Sequence, residues 1–234
     1  MSNFINVLDK GYVRLIDTMG SDLSIVNAAR VSYDKESLTF SEPDKRLLSF
    51  LVREEHMSPF RHAALTFEVY APLLVARQWW KYAVGSTHAD DQNGWNESSR
   101  RYITEKEEFY IPQPGQWRGK PANSKQGSAE LPADVNENLY TYGLEAHIAS
   151  GVAQYQQAMA DGIAPEQARL FLPAYSMYVR WRWTTSLAAA LHFLQQRLAH
   201  DSQFEIQQYA RAVADFVEKQ FPESYKIIME NNSV

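Results

Sequence analysis

Polar and apolar positions change period several times along this chain, and each change marks an element. Residues 12–17 (YVRLID) read as a short strand. From Asp22 the spacing turns helical. Leu23, Val26 and Ala29 share one face, and Ser21 or Asp22 can cap the first turn. Ser41 followed by Asp44 has the spacing of a capping box. Pro43 sits just inside a helix that carries Leu47, Leu48, Leu51 and Val52. Residues 63–70 alternate strictly: Leu65, Phe67 and Val69 point one way, Thr66, Glu68 and Tyr70 the other, as in a half-buried strand. Pro72 then opens a helix, PLLVARQWWKYAVG, which Gly85 ends.

Residues 86–101 are polar and irregular. Residues 112–132 hold four prolines and three glycines, and read as a long loop of the kind that is mobile or functional. A long helix is expected from about Ala133 to Ala160, ended by Gly162, and a short one from Pro165. Residues 174–183 (AYSMYVRWRW) alternate again and read as a strand. Two helices, near 185–198 and 203–219, close the chain. Strands set among helices without βαβ spacing predict an α+β fold. No internal repeat is visible.

Composition narrows the class. The 234 residues are 45% hydrophobic and 22% charged, enough for one substantial core and too few for two comfortable domains. Lys and Arg number 23 against 28 Asp and Glu, a net charge of −5 that disfavours a nucleic-acid polymer as partner but leaves room for one small anion. No apolar run approaches a membrane span of roughly 20 residues, and the start MSNFINVLDKG lacks signal-peptide features, so a cytoplasmic protein without a membrane partner is expected. Cysteine is absent. Disulfides, zinc thiolates, iron–sulfur clusters and a cysteine nucleophile are excluded, and covalent chemistry must come from another residue or from a cofactor.

Common signatures fail. There is no G-x-G-x-x-G, no nucleophile elbow and no H-E-x-x-H helix. Gly115 to Lys120 is one residue short of a P-loop, with Pro121 where Ser or Thr is needed. The six histidines are scattered, and no metal site is expected. Polar residues on apolar elements are the sharper signal. Arg77, Gln78 and Lys81 interrupt the helix of Trp79 and Trp80; two snorkelling cations are the plain explanation. Asn96-Glu97-Ser98-Ser99-Arg100-Arg101-Tyr102 packs an acid, two hydroxyls and two guanidiniums into seven residues, as a solvated loop or as a grip for phosphate. Arg169 lies in the apolar turn ARLFLP, and Arg197 and His192 lie in ALHFLQQRLAH. Each arginine has an internal ion pair with Glu166, Asp201 or Glu205 as its ordinary explanation, but several together point to an anion site.

These segments carry a resemblance. LDKGYVRLIDTMGSDLSIVNAARVSYD (8–34), SPFRHAALTFEVYAPLLVARQWW (58–80), NESSRRY (96–102), EFYIP (108–112), ARLFLP (168–173) and LHFLQQRLAHDSQFEIQQYA (191–210) resemble the flavin-dependent thymidylate synthases, in order and at nearly their spacing. The resemblance implies one α+β domain over residues 1–234, a mixed or antiparallel sheet packed against long helices, assembled as a homotetramer with active sites between subunits. It implies methylation of dUMP to dTMP with FAD as cofactor, and with NADPH and 5,10-methylenetetrahydrofolate as co-substrates. The missing cysteine fits, because that family needs no thiolate.

By matching position, Arg197 is the catalytic arginine that contacts the uracil and favours its N3-ionised form. An arginine is too basic to act as a general base, but it can stabilise ring charge. Gln78, Trp79, Trp80, Lys81, Glu97, Ser98, Ser99, Arg100, Arg101 and Arg169 are implied as the rest of the dUMP set. Ser58, Lys81, Tyr82, Ala83, Asn96, Glu97, Tyr102, Ser186 and His192 are implied for FAD.

The chain also departs from the family. The R-H-R of the signature is Lys81-Tyr82-Ala83 here, an extra segment of about 87–95 precedes Asn96, and Ser186 and Ala188 replace a usual asparagine and arginine. Lysine gives a point charge where arginine gives a planar fork, so the flavin half is the more altered one. Two other readings stay open: a related UMP/dUMP C5-methylase of altered specificity, and a non-catalytic uridylate-binding homologue.

Overall fold

The strict alternation of residues 63–70 becomes the central strand of one sheet. The computed structural model of the chain describes residues 2–84, 94–98, 107–122 and 127–230, with backbone alone at 82–84 and 230. The strands are β1 (Phe4–Val7), β2 (Gly11–Met19), β3 (Ala64–Pro72), β4 (Gly94–Glu97) and β5 (Tyr178–Ser186). Their order is β1-β2-β3-β5-β4, and every pairing is antiparallel, so of the two expected sheet types the antiparallel one is present.

Period two sorts the sheet's faces. Phe67 and Val69 on β3 lie opposite Trp183 and Trp181 on β5, and all four are buried. Over them pack α3 (Leu73–Val84), α6 (Leu187–Arg197) and α7 (Phe204–Gln220). The other face carries a cross-strand charge row in which Glu68 meets Arg14 at 3.0 Å and Arg182 at 3.6 Å. Next to it Tyr70 stacks on Tyr178 at 4.9 Å. The segment 107–122 crosses this side, tied by Tyr110 N–H to the Ser176 carbonyl at 2.8 Å. A smaller cluster of Phe109, Ile148, Leu172 and Met177 lies under α4 (Glu137–Ala160). Gly11 is the one position of β2 that tolerates no side chain. A Cβ there would lie 1.8 Å from Tyr209 Oη, whose O–H donates to the Tyr70 carbonyl at 2.9 Å.

The capping signals read from the sequence are real. Ser21 and Ser24 form a capping box on α1 (Asp22–Arg30). Ser41 and Asp44 form one on α2 (Glu42–Arg53), with Pro43 in the first turn. Asp22 reaches across the fold to cap α8 (Pro222–Glu230), accepting from Glu223 N–H and Ser224 N–H at 3.0 Å each.

Asp44 is fully buried and also accepts from Arg30 at 2.5 Å and Ser37 at 2.8 Å. Burial raises its carboxyl pKa, but the hydrogen bonds of Ser41, Ser37 and Arg30 outweigh burial and hold it below the unfolded 3.8. The sign follows from linkage: this contribution to stability is complete above that unfolded value and fades as pH falls through the lower folded one. Thermal melts of wild type and Asp44→Asn should therefore differ by several degrees near neutral pH and converge in acid. A constant difference down to pH about 2 would show that the carboxylate's charge is not what stabilises here.

Some boundaries differ from the sequence reading. The strand expected over 174–183 runs instead from Tyr178 to Ser186. The alternation continues backwards through Tyr175 and Met177, where the chain actually turns, with Met177 N–H on the Ala174 carbonyl at 3.1 Å. Forwards, the polar Thr184 belongs to the strand because its hydroxyl meets Thr66 across the sheet at 3.0 Å. The long helix begins at Glu137 rather than near Ala133, and Gly162 follows its end with a φ of 85°. β1, β4 and α8 were not anticipated. Gly85, most of the extra segment 87–95 and residues 123–126 of the long loop lie outside the described residues. Among the described residues no helix is long and apolar enough to cross a membrane.

Candidate functional site

Helix α3 follows β3 without a linker, which fixes its phase over the sheet. Val75, Ala76 and Trp79 fall inward; Arg77, Trp80 and Lys81 fall outward, and Gln78 sits at the boundary. Trp79 is fully buried. It meets Trp181 and Trp183 edge-on, each at 5.4 Å, and stacks on Phe193 of α6 at 4.6 Å. Its indole N–H finds no hydrogen-bond acceptor among the described residues. The side chain is thus walled in by core aromatics, a position from which it acts on a ligand only through its neighbours. Trp80, 42% exposed, is the indole that a ligand can reach.

The Trp79–Phe193 stack sets α3 beside α6, and Arg197 lies one helical turn beyond Phe193. Arg197 closes α6 half-buried, its Nε shielded from solvent. A guanidinium suits this place, at the negative end of the helix dipole. His192 is also half-buried on α6. Ser186 is fully buried, and its hydroxyl caps α6 by accepting from Ala189 N–H at 3.3 Å.

Gln78 Nε2 donates to the Leu74 carbonyl at 3.3 Å and to Oε1 of Gln203, the residue just before α7. Gln203 also lines a cavity of about 260 Å³ with Trp117, Arg118, Ser128, Phe204 and Glu205. Glu205, buried in the first turn of α7, accepts from Arg118 and, at 3.3 Å, from Tyr110 Oη. Burial and the nearby Glu205 carboxylate push the Tyr110 hydroxyl up to about 12, so it remains an O–H donor.

β4 supplies the third part. Trp95 stacks on Trp181 at 4.9 Å, while Asn96 and Glu97 lie exposed opposite Arg182 and Trp181. Ser98 extends the pairing, its N–H on the Arg180 carbonyl at 2.8 Å. Though Glu97 reaches solvent, the protein packed around its carboxyl desolvates it and lifts it above the usual carboxylate range, while the Arg169 charge acts to lower it. The charge of Arg169, from a distant part of the chain, is thus felt at Glu97. Arg169 is held by its own Nε on the Pro165 carbonyl at 3.3 Å.

Of the residues singled out in the sequence, Gln78 is thus joined to the start of α7, and Glu97 lies within the electrostatic reach of Arg169. Ser58 stands exposed at the start of a short helical turn, Ser58–His62, that packs on α6. Ser99, Arg100, Arg101 and Tyr102 lie outside the described residues, as do the side chains of Tyr82 and Ala83. Toward a dinucleotide cofactor, Ser58, Lys81 and Asn96 fit: they are exposed polar groups, one of them cationic. Ser186 does not offer its hydroxyl, because the side chain is fully buried where it caps α6. Gln203 has no mark in the sequence reading; Glu205 enters it only as an ion-pair candidate, and the structure pairs it with Arg118. The available signal was a glutamine where Ser, Thr, Asp or Asn usually caps a helix.

Comparison with known proteins gives the family and the fold. The family described as Thymidylate synthase complementing protein matches residues 14–223. The flavin-dependent thymidylate synthase of Thermus thermophilus is 39% identical over 227 residues, 97% of this chain and 78% of that protein. That of Thermosipho africanus is 36% identical over 224 residues, 96% of this chain and 93% of that protein. Among solved structures, a UMP/dUMP methylase from Streptomyces cacaoi, bound with 5-Br UMP, superposes with a TM-score of 0.79 at 27% identity, over 98% of both chains. The same enzyme bound with 5-Br dUMP also scores 0.79.

Proposed function

Because this chain belongs to the thymidylate synthase complementing protein family, we propose that it methylates C5 of dUMP to give dTMP. The carbon donor is 5,10-methylenetetrahydrofolate, and FAD reduced by NADPH is the hydride source. The observation that carries the reading is Arg197, a shielded guanidinium at the end of a helix that the aromatic core holds in place. It matches the family's uracil-contacting arginine. There it stabilises negative charge on the ring, which raises the nucleophilicity of C5 without any protein nucleophile. Gln78, Trp80, Lys81, Glu97, Ser98 and Arg169, with Ser99, Arg100 and Arg101, form the nucleotide side. Trp79 backs them from the core.

The flavin supplies reducing equivalents when bound. Ser58, Lys81 and Asn96 would hold it, with Tyr82, Ala83, Glu97, Tyr102 and His192 in support. Ser186 contributes by fixing the first turn of α6. The enzyme works in the cytoplasm as a homotetramer with shared sites. The exposed apolar side chains Leu139, Tyr140 and Tyr142 on α4, with Leu170, Phe171 and Tyr175 beyond it, support such a surface.

The test is anaerobic incubation with FAD, NADPH, methylenetetrahydrofolate and either dUMP or UMP, read by mass spectrometry. An FAD-dependent gain of one methyl group on dUMP is expected. Methylation of UMP at a comparable rate would favour the second reading, a UMP/dUMP methylase, which the Streptomyces cacaoi neighbour motivates. Binding of dUMP without FAD would mark a non-catalytic uridylate-binding protein.

Lys81→Ala gives a finer check. Its exposed ammonium is one charge in place of the family's two arginines. Flavin affinity should fall about tenfold, roughly the worth of one charge-assisted contact, with dUMP affinity changed less. Equal losses, read by fluorescence for FAD and calorimetry for dUMP, would remove the division between a flavin half and a nucleotide half.

A further inference from the structure

Gln78 carries two donor hydrogens on Nε2 and two acceptor lone pairs on Oε1. The atom 3.3 Å from the Leu74 carbonyl must be the nitrogen, because two oxygens would repel there. The atom of Gln203 that meets the same nitrogen must then be its oxygen. Both donor hydrogens of Gln78 are therefore committed inside the protein. Its Oε1 takes no hydrogen bond from a described residue, and the side chain is half-buried rather than enclosed.

We propose that Gln203 is a positioning residue for the nucleotide site: the Leu74 carbonyl selects the rotation of the Gln78 amide, and Gln203 locks it by taking the second donor hydrogen, so that Gln78 presents an acceptor, and only an acceptor, to the ligand. This rests on the reading of Gln78 as a nucleotide contact. Gln78 then recognises a donor on the nucleotide, a sugar hydroxyl or a ring N–H, and leaves the phosphate to the arginines.

The backbone beneath Gln203 is suited to holding it. Its carbonyl accepts from Gln207 N–H at 3.1 Å as α7 begins, and Gln207 Nε2 ties back to the Ala199 carbonyl at 3.2 Å. Two residues on, the buried Glu205 is clamped by Arg118 and Tyr110. The start of α7 is thus pinned to both the α6–α7 corner and segment 107–122.

Gln203→Asn separates positioning from structural support. Asparagine is a better helix cap than glutamine, so the melting temperature should hold or rise. Its amide is one methylene shorter and cannot reach Gln78. Titration of dUMP into the FAD-loaded enzyme should show affinity about tenfold weaker, the size of one lost hydrogen bond in binding. KM for dUMP should rise with kcat little changed. In a Gln78→Met background the same substitution should add nothing.

Wild-type dUMP affinity in Gln203→Asn would overturn the proposal, as would losses that multiply in the double variant. Wild-type enzyme that fails to bind dUMP would instead remove the functional reading itself, and this proposal with it.

Discussion

Arg197→Ala is expected to leave the fold intact and to lower kcat for dUMP methylation by roughly 100- to 1000-fold, the usual cost of deleting a preorganised group that stabilises developing charge. The fold should survive because α6 is held elsewhere. Ser186 caps its first turn, and Phe193 stacks on Trp79 at 4.6 Å. Catalysis should not, because no other residue of the last turn of α6 carries charge. Arg197→Lys should recover part of the rate, since a lysine restores charge but not the planar fork. Circular dichroism confirms the fold, and steady-state kinetics with dUMP reads the effect. Turnover at the wild-type rate in Arg197→Ala would refute the role.

Trp79→Ala is expected to cost about 3–5 kcal/mol of stability, the range for deleting a large buried aromatic. The indole touches two tryptophans of β5 and one phenylalanine of α6, so its loss opens a cavity at the junction of sheet and two helices. Trp79→Phe should be much milder. It keeps a ring against Phe193 and removes an N–H that has no acceptor among the described residues. Trp80→Ala, by contrast, should leave denaturation almost unmoved, because that indole is 42% exposed. Urea denaturation of the three variants distinguishes the indoles. A Trp79→Ala protein as stable as wild type would mean that the aromatic junction contributes little to the fold.

The two tryptophans show what sequence can and cannot say. Adjacent and chemically identical, both match the nucleotide side by resemblance. Helical phase could have separated them, since Trp79 falls in register with Val75 and Ala76. The same local rules located most elements. Alternation marks β3 because Leu65, Phe67 and Val69 all face one core. The capping boxes on α1 and α2 are set within four residues and were legible directly.

What escaped was set at long range. β4 has four residues and only one apolar side chain, and its place depends on Trp95 meeting Trp181 from far along the chain. Ser186 looked like a residue inside a helix, because the preceding threonines hid the true end of β5. The acidic and arginine-rich segment 96–102 announced anion chemistry by residue type. That the charge of Arg169 reaches Glu97 needed the fold. Gln78 stands out by resemblance, but the residue that takes the second hydrogen of its amide, Gln203, comes 125 residues later.

The stack of Trp95 on Trp181 has an optical consequence. Two indoles 4.9 Å apart, their planes inclined by 18°, share their excited states. They therefore contribute a coupled pair of bands to the circular dichroism spectrum whose sign and size depend on their separation and angle. Trp95 rides on the edge strand that leads into the arginine-rich segment, whereas Trp181 is rooted in the core. The protein thus carries its own chromophore pair across the seam between a fixed element and a peripheral one, and the docking of that edge can be followed in solution with light alone.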